Sequence, residues 1–263
     1  MADSFYEPLG DGRWLATVHT TGPWDAAAQH GGPPSALLGR AVERCAPRDD
    51  LVVSRMTVEI LGPVPVGEVE VSAEIARSGR SVELVVATMT AGNRPVAKAA
   101  AWRVLRTAAP AVPPAHPGPP PLPAARPAEE RPPRPPWWVD GYLSAVEWRP
   151  VRGGFEVSGP AAVWTRLRHP LVPDEQPSPL QRVLAVADSG NGVSNELDLA
   201  SWLFINPELT VHLHREAVGE WVCLEASTTI SPGGAGLATS VLSDRGGPVG
   251  VGAQTLLVTP RAR

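Results

Sequence analysis

A chain of 263 residues with 43% apolar and 19% charged side chains can build a substantial core, in one large domain or two of ordinary size. Its net charge of −4, with no basic block, excludes broad electrostatic binding to nucleic acid or to an anionic membrane. Two distant cysteines without CxxC spacing, Cys45 and Cys223, indicate neither a disulfide framework nor a thiolate zinc site, and no apolar window reaches the ~18 residues of a membrane span.

The start, MADSFYEPLGDGRW, lacks the cationic and apolar regions of a secretory leader, so the expected compartment is the cytoplasm and both thiols are expected buried and reduced. A first strand is predicted over 13–19, then a turn through Thr21-Gly22-Pro23. Leu37, Leu38, Ala41, Val42 and Cys45 follow at helical spacing. Prolines at the start of this helix cost little, because its first amides have no intrahelical acceptor. Only Arg40, Glu43 and Arg44 carry charge, which predicts a largely buried helix. Strands are then expected over 56–62, 67–78, 81–91 and 96–106, the first alternating Met56, Val58 and Ile60 with Thr57 and Glu59.

Residues 107–136 hold 13 of the 31 prolines. Proline fixes φ and has no amide donor, so this stretch reads as an extended tether between a unit at 1–106 and a unit at 137–263. In the second unit, strands are predicted over 145–150, 154–158 and 161–168. Pro177-Ser178-Pro179 introduces an apolar helix over 180–187, which stops at Asp188-Ser189-Gly190-Asn191-Gly192. Four strands complete the chain, over 208–214, 220–231, 236–244 and 248–259.

Residues 56–101 and 209–254 repeat one pattern at an offset of 152 to 153. Met56-Thr57-Val58 aligns with Leu209-Thr210-Val211, Gly67-Glu68 with Gly219-Glu220, and Pro95-Val96 with Pro248-Val249. Two similar halves are expected to pack on each other. A polar residue present in only one half then becomes a candidate for chemistry: Gln254 aligns with Ala101, and Asn206 falls near Val53.

Gly22-Pro23-Trp24-Asp25 leading into His30-Gly31-Gly32, Trp164-Thr165-Arg166-Leu167-Arg168 before the second helix, and Leu184-Ala185-Val186-Ala187-Asp188 closing it resemble the acyl-CoA thioesterase II-like group of double-hotdog thioesterases. The resemblance covers nearly the whole chain outside the tether. It implies an α+β fold of two tandem hotdog units, each a long helix wrapped by a curled antiparallel sheet. It also implies a hydrolase that cleaves acyl-CoA to CoA and a free carboxylic acid without a cofactor or metal. The family's catalytic Asp matches Asp188 and its Gln matches Gln254. The middle position, usually Thr, falls on Asn206, with Thr210 the competing choice.

The residues carry their own reading beside this. A carboxylate at a helix carboxyl end is disfavoured by the helix dipole, and apolar neighbours would raise its pKa, as a general base for water requires. Asp188 could equally open the Ser189-Gly190 turn. Gln254 shares its strand face with Gly250 and Gly252. In the scheme these residues suggest, Asp188 takes a proton from water held by Asn206 and Gln254. His30, Gly31 and Gly32 form a substrate-binding turn, whose free amides would face a carbonyl oxygen. His212 and His214 make an HxH pair that reads as an exposed sheet face, since no third metal ligand accompanies it. GxSxG, P-loop and GxGxxG motifs are absent from the sequence. Two rival functions remain: an acyl-CoA binding module without turnover, and an enoyl-thioester hydratase using Asp25 and His30. Exposed strand edges leave self-association open.

Overall fold

Thr57 and Thr210, equivalent in the repeat, stand directly opposite each other in neighbouring antiparallel strands, their hydroxyls 3.1 Å apart. An offset of 153 combined with this register puts a local two-fold axis through the pair. The computed structural model describes residues 3–110, 112–113, 116–125, 140–198 and 201–261. Its thirteen strands form one curled antiparallel sheet, and the strand order shows the axis. On one side lie β1 (Tyr6–Gly10), β2 (Arg13–Ala16), β4 (Glu68–Arg77), β5 (Val82–Ala91), β6 (Arg94–Leu105) and β3 (Leu51–Ile60), in that spatial order. Beyond the β3 seam the order mirrors: β10 (Glu208–Leu213), β13 (Gly247–Pro260), β12 (Ala235–Asp244), β11 (Val222–Ile230), β8 (Val157–Leu167) and β7 (Val146–Gly154). A short β9 (Trp202–Ile205) pairs with the end of β13.

Two principal helices lie against the sheet, α1 (Gly32–Arg44) and α3 (Pro179–Ala187), with short turns α2 (Tyr142–Ala145) and α4 (Gly190–Val193). As the apolar spacing predicts, α1 buries Leu37, Leu38 and Val42 and α3 buries Val183, Leu184 and Val186, all in one core cluster that spans both halves. The helices run antiparallel and close together. A Cβ on Gly39 would lie 2.5 Å from Leu184 Cδ1, and one on Gly32 2.1 Å from the Ala185 carbonyl oxygen. Ser178 caps α3 by accepting from the Gln181 amide, and Ser178 and Gln181 both donate to Glu43 near the end of α1. Each helix start is thus tied to the other's finish.

Element boundaries follow the predictions, with local exceptions. The strand expected over 56–62 is β3, which starts earlier, at Leu51, and ends at Ile60. Three strands expected between 145 and 168 are two, because the chain reverses through a tight turn at Phe155–Glu156, closed by the Gly154–Val157 pair. The strand expected over 13–19 ends at Ala16 and is followed by a 3-10 turn at Val18–Thr20. Strands β1 and β9 were not expected. Cys223 is buried and Cys45 half-buried, both free. Residues 120–123 of the tether contact the second half. Pro120 O accepts from Trp164 Nε1 (3.0 Å), Pro123 O accepts from Arg149 Nη1 (2.9 Å), and Leu122 packs on Trp164 and Trp221. Residues 126–139, where the tether ends, lie outside the described residues. Among those described, no helix is long and apolar enough to cross a membrane.

Candidate active site

Asp188 caps the carboxyl end of α3 in helical conformation (φ −64°, ψ −12°), and its side chain turns inward, only 4% of the residue remaining exposed. The chain then enters α4 at once. That tight passage needs Gly190, since a Cβ there would lie 2.7 Å from Ser240 Oγ and 2.9 Å from Gln254 Oε1. The two amides singled out from the sequence converge on this carboxyl group. Asn206, in the bend between β9 and β10, donates from Nδ2 to Asp188 Oδ1 at 2.6 Å. Gln254 on β13 donates from Nε2 to the Asp188 carbonyl at 2.9 Å and to Oδ1 at 3.3 Å. Gln254 is held in this orientation because its Oε1 accepts from the Asn191 amide at 3.0 Å. Thr210 instead directs its hydroxyl to Glu208 and Thr57, at the seam between the halves.

Both Asn206 amide protons are occupied, the second by the Glu208 carbonyl at 3.1 Å. Asn206 and Gln254 therefore grip the carboxylate itself, rather than a water molecule as the sequence suggested. The turn before α1 supplies the other side. Gly31 must lack a side chain there, since a Cβ would lie 2.6 Å from Asp188 Oδ2. The Gly32 amide donates to His30 Nδ1 at 3.0 Å. The Gly32 amide, expected to face a substrate oxygen, is thus engaged within the protein.

His30 Nδ1 lies 3.4 Å from Asp188 Oδ2, but this contact is not an ion pair. Burial lowers the His30 pKa to about 3, and accepting from Gly32 requires Nδ1 to carry a lone pair, so the neutral ring bears its proton on Nε2. The ring stacks on Tyr142 (centroids 3.8 Å apart, 12° between planes), whose hydroxyl is 2.8 Å from both the Ala185 carbonyl and Ser189 Oγ. Asp188 is displaced the opposite way. Burial pushes its pKa up to about 7 against the opposing pull of Asn206, Gln254 and the Gly31 amide, with a smaller upward push from Glu208.

Beside His30 and Ser189 opens a cavity of about 60 Å³, walled chiefly by Trp24, Leu143, Phe155 and Gly192. Tyr142, Ser189 and Phe155 were not singled out from the sequence. Tyr142 carried one faint signal, as one of only two tyrosines. In the first half, the place corresponding to the Asp188 corner holds apolar Val53 and Ala101, and a buried Arg103–Glu83 ion pair whose Arg103 Nη1 holds the Cys45 carbonyl at 2.9 Å. Asp25 lies exposed, capping its own turn by accepting from the Ala27 amide. His212 on β10 and His214 just past its end are exposed, and no cluster of three metal-ligating side chains occurs among the described residues.

Residues 20–104 match the acyl-CoA thioesterase N-terminal domain, and residues 119–258 match the acyl-CoA thioesterase C-terminal domain. No curated protein matches the chain. Among solved structures, a hot dog fold protein of unknown function from Alicyclobacillus acidocaldarius superposes with a TM-score of 0.72 at 16% identity, covering 97% of this chain and 96% of that one. A protein assigned as a thioesterase from Novosphingobium aromaticivorans gives 0.71 at 22% identity, covering 96% and 98%. An acyl-CoA thioesterase II from Mycobacterium marinum gives 0.65 at 17%, covering 98% and 95%. At these identities the likeness establishes a hotdog fold.

Proposed function

We propose that this chain, which belongs to the acyl-CoA thioesterase family and is thereby a thioester hydrolase, cleaves acyl-CoA with Asp188 as the base that activates water. The observation that carries this reading is a buried carboxyl group gripped by two side-chain amides, with its pKa raised by burial to about 7. A base poised near neutral pH both exists in the ionised form and retains a driving force for taking a proton. Asp188 accepts a proton from water as the water oxygen attacks the thioester carbonyl carbon. The His30 Nε2–H donates to the oxygen that gains negative charge, a role suited to a neutral imidazole held rigidly on Tyr142. The C–S bond then breaks, and the proton held by Asp188 passes to the departing thiolate, giving CoA and a carboxylic acid. Asn206 and Gln254 are positioning residues in this scheme, aiming the carboxylate and favouring its ionised form. The scheme draws on no metal or organic cofactor.

The mirrored strand order and the single asymmetric corner support a finer reading of the fold: two hotdog units, 1–106 and 137–263, joined by the tether at 107–136, with chemistry retained in the second. The exposed, turn-capping position of Asp25 speaks against a hydratase built on Asp25 and His30. Sequestration of acyl-CoA without cleavage would show as ligand protection in thermal shift with no thiol released.

The pH dependence tests the base. An ionised Asp188 is the active form, so kcat/KM should rise with pH through about 7 and level off above it, whereas an ordinary carboxylate would give a flat profile from pH 5 to 8. Asn206→Ala removes a donor that favours the ionised form, so its rising limb should move to higher pH. Thiol release measured from pH 5 to 9 for both proteins checks this, and a flat wild-type profile would remove Asp188 from the role.

A further inference from the structure

We infer that the cavity beside His30 limits the length of the group that can be cleaved, with Phe155 setting the limit. This rests on the hydrolytic reading above and adds the substrate class. The cavity reaches the proposed chemistry through His30 and Ser189 and is otherwise walled mostly by apolar side chains. Its volume is about 60 Å³, and one water requires ~10–15 Å³ of such space, so it holds roughly four to six non-hydrogen atoms. Phe155 forms part of its wall and is held in place. Phe155, in the β7–β8 turn, meets Trp148 edge to face (centroids 4.9 Å apart, 83° between planes). It also lies flush on Gly192, where a Cβ would sit 3.3 Å from Phe155 Cε1. Asn195 Nδ2 donates to the Phe155 carbonyl at 3.1 Å, and Trp148 Nε1 donates to the Leu143 carbonyl at 2.8 Å, so both aromatic residues are anchored. Behind the ring lies the small apolar cluster of Ala161, Val163, Val193 and Ala226.

From this geometry we infer that the enzyme selects short, unbranched acyl-CoA thioesters of about four to six acyl carbons, and that Phe155 is the residue that excludes longer chains. A straight chain of that length, entering past His30 and Ser189, fills the cavity against the Phe155 ring. A longer one must displace an anchored aromatic ring or remain in water.

The test is kcat/KM for CoA release across saturated acyl-CoAs from acetyl to palmitoyl, for wild type, Phe155→Ala and Phe155→Leu. The wild type is expected to peak at butyryl to hexanoyl and to fall at least ~10-fold by lauroyl, since a lost methylene contact in an apolar pocket is worth roughly 10-fold or more. Phe155→Ala should raise the lauroyl-to-butyryl ratio at least ~10-fold, with Phe155→Leu intermediate. Phe155→Leu keeps an apolar filler and supports the same comparison if the alanine variant fails to fold. A wild-type optimum at dodecanoyl or longer overturns the inference. So does an unchanged chain-length profile in an active Phe155 variant, and either result leaves the hydrolytic reading standing. Absence of thiol release from every thioester would overturn the hydrolytic reading, and this inference with it.

Discussion

Asp188→Asn should lower kcat for acyl-CoA hydrolysis by at least ~10³-fold, within the range that general-base catalysis contributes. The substitution keeps the size and polarity of the group and removes only its capacity to take a proton. Its effect on stability should be small, for a reason read from the direction of the pKa shift. The folded state holds the Asp188 proton up to about pH 7, whereas the unfolded chain releases it near the ordinary aspartate value of 3.8. Stability contributed by this group is therefore greatest in acid, is lost as pH rises between these values, and leaves a cost of up to ~4 kcal/mol above pH 7. Asparagine escapes that cost but places an amide among donors already aimed at a carboxylate. The two terms oppose, so at pH 8 the variant should melt within about 4 °C of wild type, roughly 1–2 kcal/mol for a chain of this size. A well-folded variant with unimpaired thiol release would show that another group activates water. A variant that loses activity only because it unfolds would show as a large fall in Tm. Circular dichroism melts alongside a thiol assay separate these outcomes.

Gly32→Ala should cause the largest loss of stability among small substitutions near the site. The added Cβ would sit 2.1 Å from the Ala185 carbonyl oxygen and 3.0 Å from its carbon, inside the backbone of the facing helix. Neither side can yield cheaply, because the Tyr142 hydroxyl fixes that carbonyl and the Gly32 amide is bonded to His30. Separating α1 from α3 is an overpacking change of about 3 kcal/mol. For a chain of this size that corresponds to a fall in Tm of roughly 6–12 °C. Turnover should also fall, since the same shift moves His30 and the Gly31 amide away from Asp188. Gly67→Ala is the control, as a Cβ there meets nothing within 4 Å, and its Tm should stay within about 2 °C of wild type. Equal melting temperatures for the two variants would mean that the helices do not approach this closely in solution.

Much of this architecture was legible one segment at a time. Alternation in Met56–Ile60, helical spacing in Leu37–Cys45 and the proline pair around Ser178 are local signals, and the elements formed where those signals lay. The repeat was legible too, because strand patterning and turn residues survive where identity does not. It also pointed to Gln254, as the polar member of a pair whose partner is the buried Ala101.

The chain's own order of residues thus determined which segments become strands and helices, that there are two similar halves, and that Asp188 and Gln254 break their likeness. Tertiary structure decided what those residues do. Asn206 lies 18 positions from Asp188 and Gln254 lies 66 away, so no local pattern reveals that both amides spend their protons on that carboxyl group. The same closure turns the Gly32 amide inward, stacks His30 on Tyr142 and drives the His30 and Asp188 pKa values in opposite directions. Those states arise from burial and from hydrogen bonds between distant segments, which come into being only when β10, β13 and the two helices meet.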